Sequence, residues 1–164
     1  MLIAAVIAGV AALIIVRRST IIVPPRSSWM ISRLGKPHGV RHAGLHVLVP
    51  LIDTVAQKYS LDEQQVSAAD TYRSSNDERV HVEAKVRYRV LDPKTAFDRA
   101  TDLDATIRTA VGVAIRRETE SRTVSFIRDD RRAFRDAILN SADKIVAEVG
   151  VKLVDLVIDL PRGF

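Results

Sequence analysis

The stretch Glu78–Val90, ERVHVEAKVRYRV, decides how the rest of this sequence is read. Val80, Val82, Ala84, Val86, Tyr88 and Val90 share one parity; Arg79, His81, Glu83, Lys85, Arg87 and Arg89 share the other. A period of two held over that length specifies a β-strand with one buried and one wet face. Four of the six wet positions are Arg or Lys. Three uses of such a face have to be weighed: reading nucleic acid, lying against a membrane, or keeping a sheet soluble.

The 164 residues suit one modest domain plus an appendage, long enough to bury a core without metal or disulfide. There is no cysteine, which excludes disulfides, thiolate metal sites, cysteine nucleophiles and palmitoylation. The net charge of +5 admits an acidic partner or an anionic lipid surface. Aromatics make up only 5% of residues, too few for the stacking platforms of single-strand binders.

The start of the chain separates these options. MLIAAVIAGVAALIIV, Met1–Val16, holds no charge and is followed by Arg17 and Arg18. At 1.5 Å per residue the run falls short of the roughly 30 Å hydrocarbon thickness. It can be extended through Ile21, Ile22 and Val23 before Pro24-Pro25 stops a helix. A cleaved signal peptide would need a basic n-region and a small-residue cleavage site, and neither is present. The expectation is an uncleaved anchor over residues 1–23, with Leu2, Ile3, Val6, Ile7, Val10, Leu13, Ile14, Ile15 and Val16 in the acyl core. Arg17 and Arg18 then snorkel to anionic headgroups, worth about 1 kcal/mol each. The nearby positive charge (Arg17, Arg18, Arg26, Arg33, Lys36) lies on the C-terminal side. The positive-inside rule therefore predicts a single-pass protein of the cell membrane, N-terminus outside and domain in the cytoplasm.

Beyond the anchor, Pro24-Pro25 with RSS reads as a stiff linker and SWMISRLGK as a weak strand ended at Gly35 and Pro37. PHGVRHAG reads as turn chemistry, LHVLVP as a short apolar strand, and IDTVAQKYSLDEQQVSA as two extended pieces. DTYRSSND is polar and turn-like. After Val90 the period changes: Asp92 offers an N-cap and Pro93 a first helical residue. A helix from Asp102 or Asp104 carries Leu103, Ile107, Val111, Ala114 and Ile115, and ESRTVSF breaks it. A longer helix from Asp129 places Phe134, Ile138, Ile145 and Val149 on one face beside Ala137, Ala142 and Val146, stopped by Gly150. VKLVDLVID is a final strand. Strands first and helices later indicate an α+β fold with a mainly antiparallel sheet packed by helices.

These pieces, taken in order, resemble one family, the SPFH or band 7 domain of stomatins, prohibitins and flotillins. IIVPPRSSWMISRLGK is similar to the family's opening of Val-Pro, a strand and RxGK. AGLHVLVPLID resembles GPGLHFVIPLID, with Ala43 where the family usually has Pro. YSLDEQQVSA is similar to the DLRxQ strand, and SSNDERVHVEAKVRYRVLDPKTAF to TKDNVxVxVDAVVYYRVxDPxKA. AVGVAIRRETESRTVSFIRDDRRAF resembles a helix followed by ERTLDELLxxREEI, and GVKLVDLVIDL resembles GIKVxxVxIKDI. The resemblance runs from Ile21 to Leu160 and implies an SPFH domain over residues 24–164. It further implies a membrane-anchored scaffold, without enzymatic activity, that self-associates, organises lipid microdomains and often attends a membrane protease. Family members continue into an Ala/Glu-rich coiled coil that drives oligomerisation, whereas this chain reaches DLPRGF where that helix begins. The expectation is a truncated form or weaker homo-oligomerisation.

No pattern of catalysis rises beside this. His38, His42 and His46 are four apart, but Pro37, Gly39 and Gly44 argue against a helix that would align them, so no metal site is expected. Asp102, Asp104, Asp129 and Asp130 sit at helix starts, where capping accounts for them. Phosphate-binding loops, dinucleotide fingerprints and nucleophile elbows are absent from the sequence. No catalytic residue and no cofactor are expected. The Arg116-Arg117 and Arg128–Arg135 clusters interleave with Glu118, Glu120, Asp129 and Asp130, so they read as solvated faces and not as a nucleic-acid surface. The expected partners are membrane lipids, further copies of the chain and, as an alternative role, a membrane protease that it restrains.

Overall fold

A computed structural model of the chain describes residues 19–160, so the expected anchor Leu2–Val16 and the headgroup pair Arg17 and Arg18 lie outside the described residues. The chain divides into two compact units, meeting at Leu61 and Asp62. The α+β class holds, with one difference. Two three-stranded antiparallel sheets stand where a single sheet was expected.

The second unit contains the decisive strand. Its sheet has the order β4-β5-β6, with β4 at Gln64–Arg73, β5 at Arg79–Val90 and β6 at Val151–Asp159. Strict alternation is realised residue by residue in β5: every second side chain from Val80 to Val90 is buried and every other one is exposed. The buried set faces helices, and each large apolar side chain removed from water contributes about 1.5–3 kcal/mol. Four helices follow β5: α1 (Pro93–Arg99), α2 (Leu103–Glu120), α3 (Val124–Asp129) and α4 (Arg131–Ala147). Helix α2 packs on β4 and α4, and α4 packs on β6. Ile107, Val111, Ala114 and Ile115 of α2 are buried, as are Phe134, Ile138, Ala142 and Val146 of α4.

Helix starts follow the capping chemistry. The Asp92 carboxylate accepts from the amides of Lys94 and Thr95, and Asp102 accepts from Ala105. Asp130, not Asp129, caps α4 by accepting from Ala133; Asp129 closes α3 instead. Asp104 is no cap either. Its carboxylate accepts the buried Tyr88 hydroxyl at 2.6 Å. In α4 the buried row steps by four residues, so Ile145 is left 40% exposed where a common face with Phe134 was expected. A row of i±4 spacing is inclined to the helix axis, and a helix that crosses its support obliquely buries such a row.

Gly150 ends the helical region with φ +73°, and its carbonyl accepts the amides of both Leu91 and Asp92. A Cβ there would stand 2.6 Å from the Asp92 carbonyl oxygen, so only glycine fits.

In the first unit the sheet order is β2-β1-β3, with β1 at Thr20–Arg33, β2 at Lys36–Val47 and β3 at Asp53–Ser60. Three expectations are corrected here. Ile21, Ile22 and Val23 do not extend an apolar helix; they pair with His46, Leu45 and Gly44 in the sheet. Pro24-Pro25 is no linker but part of β1, and PHGVRHAG is not a turn but most of β2. The proline signal misleads because Pro24–Ser27 form an irregularity in which four residues stand opposite Ala43 alone. Missing amides cost no ladder bonds at a bulge.

That irregularity bends the strand. The Leu48 amide bonds the Ser19 carbonyl at one end of β1, and the Leu34 amide bonds the Ile52 carbonyl at the other. Leu48 and Ile52 are joined by so few residues that their span is at most about 14 Å. A straight strand of the length of β1 would reach about 45 Å. Hence β1 curls back on itself, with Arg26 at φ +58° in the bend.

Candidate membrane-facing surface

The curled sheet exposes apolar side chains in a pattern that burial does not explain. Ile22 pairs with Leu45 and Thr20 with Val47, so these four side chains share one face by the period of two. Ile22, Leu45 and Val47 are 72%, 68% and 71% exposed. This face belongs to the first described residues after the Met1–Val16 run and the Arg17–Arg18 pair.

Two turns of the same unit carry exposed leucines in conformations that leucine avoids. Arg33 and Lys36 close a hairpin whose two loop residues, Leu34 and Gly35, both have positive φ (51° and 79°), the signature of a type I′ turn. Asn-Gly is the usual occupant; here the first place holds Leu34, exposed to solvent. In the second turn the Ile52 amide donates to the Val49 carbonyl at 3.3 Å, Pro50 takes the second place and Leu51 the third with φ +72°. Type II turns place glycine there, because a β-carbon in the left-handed region costs about 1–2 kcal/mol. Leu51 pays that cost while fully exposed.

The two turns are braced together. Arg33 Nε donates to Asp53 Oδ1 at 2.6 Å and Arg33 Nη2 to Oδ2 at 3.0 Å, a bidentate pair. Asp53 Oδ2 also accepts the Val49 amide at 2.9 Å. The Arg33 guanidinium first, and the Val49 amide second, hold the Asp53 carboxyl well below the usual carboxylate range. One carboxylate thus fixes the hairpin carrying Leu34 and the turn carrying Leu51.

His38, His42 and His46 lie along β2. His42 Nδ1 lies 3.0 Å from Ser28 Oγ, and His46 Nε2 donates to the His42 carbonyl at 2.6 Å. Among the described residues no group of three or more His, Asp or Glu is arranged to hold a metal ion. On the basic face of β5, the two arginines nearest its end are paired. Arg87 donates to Asp155 at 2.8 Å and stands 3.6 Å from Glu63, while Arg89 donates to Glu63 at 3.1 Å. The charge of these two arginines is balanced across the neighbouring strand and the β3–β4 link.

Leu34, Leu45, Val47 and Leu51 were not singled out from the sequence. The signal that could have found them is the apolar LHVLVPLI run, whose length exceeds what one short strand can bury.

The α+β class with antiparallel sheets and covering helices is consistent with the family comparison. The model of the SPFH domain / Band 7 family matches residues 21–162, and the chain belongs to that family. It is similar to stomatin-like protein 2, mitochondrial, of Rattus norvegicus, at 24% identity over 133 residues, 77% of this chain. The human protein of the same description is 20% identical over 138 residues, 82% of this chain. The chain spans 38% and 39% of the lengths of these two relatives.

Proposed function

We propose that this chain is a membrane-anchored scaffold of the stomatin type, with no enzymatic activity, that self-associates and organises membrane proteins or lipid domains. The anchor is the Met1–Val16 run with Arg17 and Arg18 at the headgroups, and the SPFH domain lies on the cytoplasmic side. One observation carries the reading: the exposed Ile22, Leu45 and Val47 sit on the strands that directly follow the anchor. A surface of this kind is stable against an acyl–headgroup boundary and costly in water, by about 1.5–3 kcal/mol for each large side chain covered. Lys36, exposed beside Leu34, supplies a cation at the same level.

The test uses the absence of native cysteine. A single cysteine in a short polar tag added ahead of Met1, or replacing Leu51 or Lys152 of the full chain, is probed with a membrane-impermeant maleimide on intact cells and after lysis. The expected pattern is labelling of the N-terminal tag from outside, of position 152 only after lysis, and protection at position 51 until detergent is added. Equal labelling of all three positions in intact cells would overturn the topology. Cross-linking in native membranes should give a ladder of copies. A single-copy particle that co-purifies with a stoichiometric membrane protease would instead favour the restraining-subunit role.

A further inference from the structure

The second unit has two sheet edges, and they are treated differently. In an antiparallel strand alternate residues turn both backbone groups toward the same neighbour. Three amides that donate to side chains mark which residues of β4 and β6 turn outward: Thr71 to Asp70 Oδ1, Leu153 to Asp143 Oδ1 and Leu156 to Asp155 Oδ1. A register shift opposite Arg87 and Tyr88 switches the parity within β6, which turns out Val151, Leu153, Leu156 and Ile158; the Leu153 and Leu156 amides are already capped by carboxylates. Strand β4 turns out Gln65, Ser67, Ala69, Thr71 and Arg73, and among the described residues only the Thr71 amide is capped by a side chain.

Beside the open part of β4 runs a groove of about 620 Å³ between the strand and helix α2. The strand side is small: Ser67, Ala68 and Ala69. On the helix side Arg108 and Arg116 stand eight residues apart, with Gly112 midway, all on one face. Both arginines are exposed. A glycine inside a helix costs roughly 1 kcal/mol relative to alanine. Packing does not demand it here, since an added Cβ would meet Tyr72 Oη at an ordinary 3.5 Å. What Gly112 does is keep the floor of the groove low. Asp70 is the one carboxylate lining the groove, and it is engaged with the Thr71 amide.

We propose that this groove takes an extended acidic segment of a partner protein as an added strand. The segment pairs with the free backbone groups of Ser67 and Ala69 and sets its carboxylates on Arg108 and Arg116. The free edge supplies affinity through main-chain hydrogen bonds, and the two guanidinium groups select charge. A second copy of the chain offering β6 is disfavoured, because the Leu153 and Leu156 amides of that edge are already bonded to carboxylates and Arg131 and Arg132 line its flank beside Asp155. The inference stands independently of the membrane reading.

The test pans a library of short random peptides on the full chain held in lipid nanodiscs. Selected sequences should be enriched in Asp and Glu alternating with apolar residues, and their binding should protect the Ser67 and Ala69 amides from hydrogen exchange. Arg108→Ala and Arg116→Ala should each weaken a selected peptide about tenfold. Ala69→Pro should abolish binding at an unchanged melting temperature, because proline is tolerated where the amide faces outward from an edge strand. Peptides without acidic enrichment, or binding that survives the double arginine variant, overturn the proposal. So does concentration-dependent protection of the same amides without peptide, which would assign the groove to a second copy.

Discussion

The two sheets of this protein are built on opposite economies. In β4-β5-β6 the alternation is unbroken along β5, the inward side chains are buried, and wet-face arginines 87 and 89 meet carboxylates. In β2-β1-β3 the longest strand is bulged and curled, and three non-glycine residues, Arg26, Leu34 and Leu51, adopt positive φ. Large apolar side chains face outward there. Strained backbone persists only where the surrounding structure over-determines it, as the Arg33–Asp53 brace does here. The regular sheet holds the helices; the irregular one presents leucines.

The sharpest way to break that contrast is a carboxylate placed in each sheet. Val86→Asp would bury an unpaired charge at a fully enclosed position, which costs several kcal/mol or leaves the residue protonated. The expected outcome is loss of cooperative thermal unfolding. Val47→Asp, on the exposed face of β2, should leave the melting temperature nearly unchanged and reduce binding to vesicles. A large stability loss for Val47→Asp would show that its face is a core surface.

Next in size come Gly150 and Gly35, two of the three glycines with positive φ. Gly150→Ala combines the left-handed backbone cost with a Cβ 2.6 Å from the Asp92 carbonyl, so denaturant unfolding should lose about 2 kcal/mol or more. Gly35→Ala meets nothing within 4 Å and should cost only the backbone term, about 1 kcal/mol. Equal losses would mean that the β5–β6 junction relaxes freely around residue 150.

The same contrast explains what could be read in advance. Alternation in β5, the Asp92-Pro93 start and the Gly150 stop are local signals, each tied to the backbone state it produces. The curl of β1 is not local. Pro24 and Pro25 read as a linker because the residue opposite them, Ala43, is known only from the fold. Leu34 and Leu51 escaped because turn reading looks for Gly, Asn and Pro, and a leucine at positive φ contradicts that chemistry. The open edge of β4 was likewise hidden, since edge position depends on which strands end up as neighbours. The Arg116-Arg117 pair was visible, but its partner Arg108 becomes meaningful only beside that edge.

Smaller effects probe the strained turns. Leu51→Asn keeps the left-handed backbone at lower cost and removes the apolar tip. Stability should rise by up to about 1 kcal/mol while vesicle binding falls, the opposite signs expected where strain serves a contact. If both quantities fall, Leu51 is packing within its own unit. Leu34→Asn should behave alike, through the type I′ preference for Asn-Gly.

The mildest test is the pH dependence of the brace beneath these leucines. Asp53 has a folded-state pKa depressed by Arg33 and the Val49 amide, against an unfolded value near 3.9. A depressed carboxylate stabilises the fold above its unfolded pKa, and that contribution disappears as pH falls through the folded value. The melting-temperature gap between the parent chain and Asp53→Asn should therefore be constant near neutrality and close in acid, below about pH 4. Asp92 and Asp155, also held low, by Thr95 and Arg87 respectively, are present in both chains and cancel in the difference. Exchange of the Val49 and Leu34 amides should quicken over the same acidic window, since protonation frees both turns. A gap that persists unchanged into acid would mean that Asp53 acts through shape alone, leaving the leucine turns without their shared electrostatic brace.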